Sequence, residues 1–136
     1  MDWIDSPNVL TDTVSRVREV RSLGLDVGVD FHGRLHKGMA KQLAKLLQPL
    51  QPMFIEEPLL PTQAEEIGDL AQMISTPIAL GERLYTRHDF RPYLERRAID
   101  IAQPDVSWVS LINSPTYHVH RCHTVVASAS FIELLR

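Results

Sequence analysis

The sequence predicts an α/β fold: a partial TIM-type (β/α) barrel of about four consecutive βα units, with an irregular C-terminal tail. Two observations carry this reading. Short apolar runs alternate with helix-length polar segments, the mark of parallel strands joined by crossover helices. Three of those runs also end in an acid at one interval, with Asp30, Glu56 and Glu82 each 26 residues apart. Asp30 closes Val27-Gly28-Val29-Asp30, Glu56 closes Met53-Phe54-Ile55-Glu56, and Glu82 closes Ile78-Ala79-Leu80-Gly81-Glu82. A fourth run, from Ile99 to Asp105, ends in the same way 23 residues further on. A complete barrel needs about 250 residues. The 136 residues here, with four strands, match roughly half of an eight-strand cylinder.

The elements follow in order. Residues 12–23 read as a helix, with Val14, Val17, Val20 and Leu23 as its apolar stripe and Gly24 as its stop. A strand over 27–31 leads into a turn at His32-Gly33-Arg34. The next helix spans 37–47, with Met39, Leu43, Leu46 and Leu47 at helical spacing and Pro49 and Pro52 beyond it. After the second strand, Thr62-Gln63-Ala64-Glu65 has the pattern of a capping box, in which hydroxyl and carboxyl each accept a backbone N–H. That helix turns Ala64, Ile67, Leu70, Ala71 and Ile74 inward. Thr86-Arg87-His88-Asp89 opens a last helix in a similar way, with Phe90, Tyr93 and Leu94 as its stripe. Past Asp105 the pattern stops. Residues 1–107 are therefore expected to form a partial barrel domain, and residues 108–136 an atypical, poorly ordered tail.

Composition narrows the function. A net charge of −3 gives no electrostatic case for nucleic acid or an anionic membrane surface. The single cysteine, Cys122, excludes an internal disulfide and fits a reducing compartment. No apolar stretch approaches the roughly 20 residues of a membrane span. The start, Met1-Asp2-Trp3-Ile4-Asp5, lacks the basic flank of a signal peptide. The cytoplasm is the expected location.

An acid at the C-terminal end of each strand converges with its neighbours on one face of a barrel, the face where barrel enzymes keep their chemistry. A single such acid is more often a helix cap. Three at one interval would repel one another without a hard divalent cation between them, and all-oxygen ligation suits Mg²⁺. Asp30, Glu56 and Glu82 are thus candidate metal ligands. His32 lies two residues after Asp30, so on a strand it shares that face, a placement suited to moving a proton on a metal-held substrate. Glu57 should face the other way, in a supporting role. Arg83 is equally a loop ion pair or a partner of a site carboxylate. Asp105, on the next strand, is expected to orient a histidine on the strand beyond it. His118, His120, Cys122 and His123 match none of the usual zinc spacings, and His36 and His88 are expected to be solvated.

Asp30-Phe31-His32-Gly33-Arg34, Phe54-Ile55-Glu56-Glu57-Pro58, Gly81-Glu82-Arg83 and Gln103-Pro104-Asp105-Val106-Ser107 resemble the enolase superfamily, mandelate racemase subgroup, in order and spacing. The resemblance implies a capping domain before a modified β/α barrel, and one Mg²⁺ held by Asp30, Glu56 and Glu82. It implies a substrate among the sugar acids, D-galactonate or a similar aldonate, whose carboxylate the metal grips. The metal would stabilise the enediolate formed when the α proton is removed. His32 would then be the acid that helps the 3-hydroxyl leave, and Asp105 the partner of a base histidine on the next strand. The implied activity is that of a dehydratase, a hydro-lyase, with homo-oligomeric intact relatives and no nucleic-acid or membrane partner. Residues 108–136 depart from the family's continuation, and Ile132 stands near where the base histidine would fall. Two further readings stay open: a racemase of the same superfamily, and a non-catalytic fragment or remnant lacking the base, in which case the isolated chain is inactive.

Overall fold

The computed structural model describes residues 6–104. Helix α1 (Pro7–Ser22) opens the chain and strand β1 (Gly28–Asp30) follows. Next come α2 (Lys37–Leu47) with a 3₁₀ turn (Gln48–Leu50), β2 (Phe54–Glu56), α3 (Ala64–Met73), β3 (Ile78–Leu80), α4 (Arg87–Glu95) and β4 (Ile101–Ala102). The four strands form one sheet in the order β1-β2-β3-β4, every pair parallel. Chain order equals spatial order, so among the described residues no switch point exists of the kind that doubly wound sheets require. Right-handed crossovers along such a sheet put every helix on the same face, the arrangement of consecutive barrel units. The α/β reading and its four βα units hold.

Register assigns each strand residue to a face. Val29 pairs with Ile55 and Ile55 with Ile78. All three are fully buried and join Leu43, Leu47, Ile67 and Tyr93 in the main apolar cluster, so this row packs under the helices. The alternate row runs Asp30, Glu56, Ala79, Ile101, and pleating turns it to the opposite face. That face is the barrel interior, and two of its four members are carboxylates.

The helices match the sequence reading in place more closely than in facing. α2 has the expected bounds, but its buried stripe is Ala40, Leu43, Ala44 and Leu47. Leu46 lies off that i, i+3, i+4, i+7 row and is about half exposed, as is Leu94 on α4. α1 begins at Pro7, which suits a first-turn position because proline's missing N–H is not needed there. It thus starts before the expected residue 12 and ends at Ser22 rather than 23. Gly24 is the expected stop, with φ +78° and its N–H donating to the Arg21 carbonyl. Leu23, expected in the apolar stripe, lies past the helix and is exposed. The capping box at Thr62 does not form. α3 starts one residue late, with Gln63 as its N-cap and no side-chain cap. The box at Thr86 is complete: Asp89 Oδ2 accepts the Thr86 N–H at 2.7 Å, and Thr86 Oγ1 accepts the Asp89 N–H at 3.3 Å. Residues 105–136, including Asp105 and the tail, lie outside the described residues.

The two threonines provide a paired test. Thr86→Ala should lower stability by about 1 kcal/mol, the usual cost of losing an N-cap. Thr62→Ala should shift it by no more than a few tenths. Urea unfolding of both variants checks this, and equal losses would contradict the difference in capping.

Candidate metal and acid–base site

Asp30 closes β1 and Glu56 closes β2, as expected, whereas β3 ends at Leu80 and Glu82 lies two residues past it; all three acids stand at one end of the sheet. Asp30 and Glu56 are register partners, so neighbouring strands set them side by side on the interior face. β1 ends at Asp30, and His32 lies beyond it in the left-handed region at φ +53°. The period-two argument therefore does not apply to His32, yet its ring still arrives beside Asp30. Asp30 Oδ1 accepts the His32 backbone N–H at 2.7 Å, an Asx-type turn. Oδ2 stands 3.0 Å from His32 Nδ1. With Asp30 ionised, Nδ1 carries the hydrogen and donates it, which fixes the tautomer. The same nitrogen lies 3.7 Å from Glu82 Oε1, so one imidazole sits between carboxylates from β1 and the end of β3.

Glu56 is buried among like charges. Burial pushes its carboxyl up from 4.5 to about 7, with Asp30, Glu82 and Glu57 adding to the effect and the Gln103 side chain opposing it. Gln103 was not singled out in the sequence. It lies two residues after Ile101, and the strand period that turns Ile101 inward would have flagged it.

Glu57 corrects a second strand-based inference. β2 ends at Glu56, and Glu57 adopts φ +44°, so its direction is set by a turn. Its side chain is only 1% exposed, and Arg83 Nε approaches its Oε2 at 3.8 Å. Neither oxygen has a well-formed hydrogen bond. Burial raises this carboxyl too, to about 7, with Glu82 and Asp30 adding and Arg83 and the Gly81 amide opposing. Arg83 also stands 3.4 Å from Glu82 Oε1, so it partners site carboxylates rather than forming an isolated loop ion pair.

Asp30, His32, Glu56 and Glu82 thus gather at one end of the sheet, with Glu57, Arg83 and Gln103 around them. Asp105 lies outside the described residues, as do His118, His120, Cys122 and His123. His36 and His88 are exposed. Among the described residues no three acids, histidines or cysteines are arranged to hold a metal ion, and the Asp30 and Glu82 carboxylates both face His32. No helix among them is long and apolar enough to cross a membrane.

The raised carboxyls set a pH dependence. The unfolded chain releases these protons near pH 4.5 and the folded chain only near 7. Between those values the folded state binds more protons, so stability falls as pH rises. Without divalent cations, the urea midpoint should drop from about pH 5 to pH 7, and Glu57→Gln should flatten the slope. A midpoint that rises over this window would contradict the burial of these groups.

The comparisons with known proteins agree with this geometry. Residues 2–124 match the family described as enolase C-terminal domain-like. A D-galactonate dehydratase of Variovorax paradoxus is 41% identical over 132 residues, covering 95% of this chain and 33% of the relative. Among solved structures, a mandelate racemase/muconate lactonizing enzyme-like protein from Rubrobacter xylanophilus superposes with TM-score 0.73 at 33% identity, over 78% of this chain and 28% of that one. An L-talarate dehydratase from Polaromonas, complexed with Mg and L-glucarate, superposes with TM-score 0.71 at 30% identity, over 78% of this chain and 30% of its own. The chain spans about a third of the length of the curated relatives it matches. Four parallel βα units in sequential order, acids at successive strand ends and a family match across most of the residues lead to one conclusion: the chain belongs to the enolase C-terminal domain-like family of the enolase superfamily.

Proposed function

We propose that this chain carries the Mg²⁺ ligands and one acid–base group of an acid-sugar dehydratase acting on D-galactonate or a similar aldonate. The observation that supports this is the meeting of acids from three consecutive parallel strands at one end of the sheet, two of them beside one imidazole. His32 Nδ1 stands 3.0 Å from Asp30 and 3.7 Å from Glu82, while Glu56 is the register partner of Asp30. The likeness to relatives named D-galactonate dehydratase supports the substrate class.

Asp30, Glu56 and Glu82 fit Mg²⁺ in donor chemistry, being hard oxygens only. Burial, with the neighbouring acids adding to it, leaves Glu56 reluctant to ionise, and a cation would offset the charge part of that cost. Bound there, the ion would supply a Lewis acid to the substrate carboxylate. His32 keeps Nδ1–H on Asp30, so Nε2 is the nitrogen that exchanges a proton with substrate. The α proton leaves to a base, the 3-hydroxyl departs as water with a proton from His32, and the resulting enol becomes the 2-keto acid, 2-dehydro-3-deoxy-D-galactonate. Asp105 is assigned the orientation of that base, which the resemblance implies is a histidine on the next strand.

Calorimetric titration of the chain with Mg²⁺ tests the ligand set. Glu56→Gln and Asp30→Asn should each weaken binding at least about tenfold, the scale at which metal-site substitutions act, while His32→Asn should leave it nearly intact. Unchanged affinity in Glu56→Gln would overturn the assignment. Loss of affinity in His32→Asn would make the histidine a ligand. In a full-length relative, D-galactonate with Mg²⁺ should yield a 2-keto acid, and loss of the histidine matching His32 should cost about 10²–10⁴-fold in rate. Exchange of the α proton without loss of water would favour a racemase.

A further inference from the structure

Arg83 touches more of this site than an ion pair between neighbours requires. Its Nη2 donates to the His32 carbonyl at 3.1 Å, while its Nε faces Glu82 Oε1 at 3.4 Å and Glu57 Oε2 at 3.8 Å. One planar fork therefore links the turn after β1, the buried acid after β2 and the acid after β3. Gly33 makes room for it, because a Cβ there would come 3.0 Å from Arg83 Nη1.

Two of the segments it links are conformationally costly. His32 and Glu57 both occupy the left-handed region, where a side chain crowds its own backbone unless the surroundings hold it. Their backbones are tied together by the Gly33 N–H, which donates to the Glu57 carbonyl at 2.8 Å. The His32 N–H is held by Asp30. The His32 carbonyl is held by Arg83.

We propose that Arg83, seated against the buried Glu57 carboxylate, is a positioning residue that pins the His32 turn in its left-handed conformation and holds it beside Glu82. What His32 does from there rests on the acid–base reading above, but the pinning does not. A lysine would keep the charge and lose the fork, since its ammonium is a single point on a flexible stem.

Amide hydrogen exchange of the chain by NMR, without metal or substrate, tests this with Arg83→Lys and Arg83→Met. In both, exchange at His32 and Gly33 should quicken about tenfold or more while Ile55, bonded between β2 and β3, keeps its protection. Retained protection at His32 and Gly33 in Arg83→Lys would overturn the proposal, because charge alone would then suffice. Equal acceleration at every amide would also overturn it, because the residue would then support only the fold at large. If Arg83→Met does not fold, Arg83→Lys decides alone. Mg²⁺ titration of the unsubstituted chain separates the two readings: failure to bind defeats the metal assignment and leaves the exchange result standing.

Discussion

The pairing of β1 with β2, in a register that sets Asp30 directly beside Glu56, is the constraint on which the site depends. Parallel strands in a sequential sheet end at similar heights, so residues that close them meet. Here β1 and β2 close on acids that share the interior row with Ala79 and Ile101, and Glu82 follows two residues past β3. Burial disfavours ionisation of Glu56, and the like charges of its neighbours add to the effect. The apolar row behind them meets the opposite demand. Val29, Ile55 and Ile78 are sealed under the helices, and each such side chain contributes about 1.5–3 kcal/mol by leaving water. A shift of one residue would exchange the two rows, exposing the aliphatic side chains and burying the acids against the helices.

The polar groups at the strand ends form a continuous chain of contacts. Asp30 holds His32 by both its backbone N–H and its ring, His32 faces Glu82, Glu82 meets Arg83, and Arg83 returns to the His32 carbonyl and to Glu57. In a partly buried setting each contact is stronger than it would be in water, and an unpaired member costs correspondingly more. The network accounts for the clustering of unusual backbone conformations at this end of the sheet. Left-handed residues persist where neighbours over-determine them, and His32 and Glu57 are held that way.

Two errors of sequence reasoning share one cause. Strand periodicity does not reach His32 or Glu57, because β1 ends at Asp30 and β2 at Glu56. With strands of three residues, the turn that follows governs where the next side chain points. His32 reached the expected neighbourhood by an Asx turn, and Glu57 reached Arg83 by a left-handed step. The helices show a milder form of the same effect. Leu46 and Leu94 fit an apolar count but lie off the buried stripe, and small residues such as Ala40 and Ala44 take the close contacts instead. The Thr62 pattern had the letters of a capping box without its geometry, whereas Thr86 had both.

The sequence by itself determined the succession of elements, the parallel sheet and the acids at its strand ends. Each of these is written in local patterns: apolar runs of strand length, helical stripes, breakers, and acids at one interval. Those patterns act through nearest neighbours along the chain and need no knowledge of the fold. The tertiary structure alone decided which groups share a proton or a charge. Arg83 bonds the carbonyl of His32 across 51 residues, and Gln103, just past β4, comes into range of Glu56 although β3 lies between their strands. Electrostatic coupling depends on distance and burial, and both are properties of the packed sheet that no spacing along the chain contains.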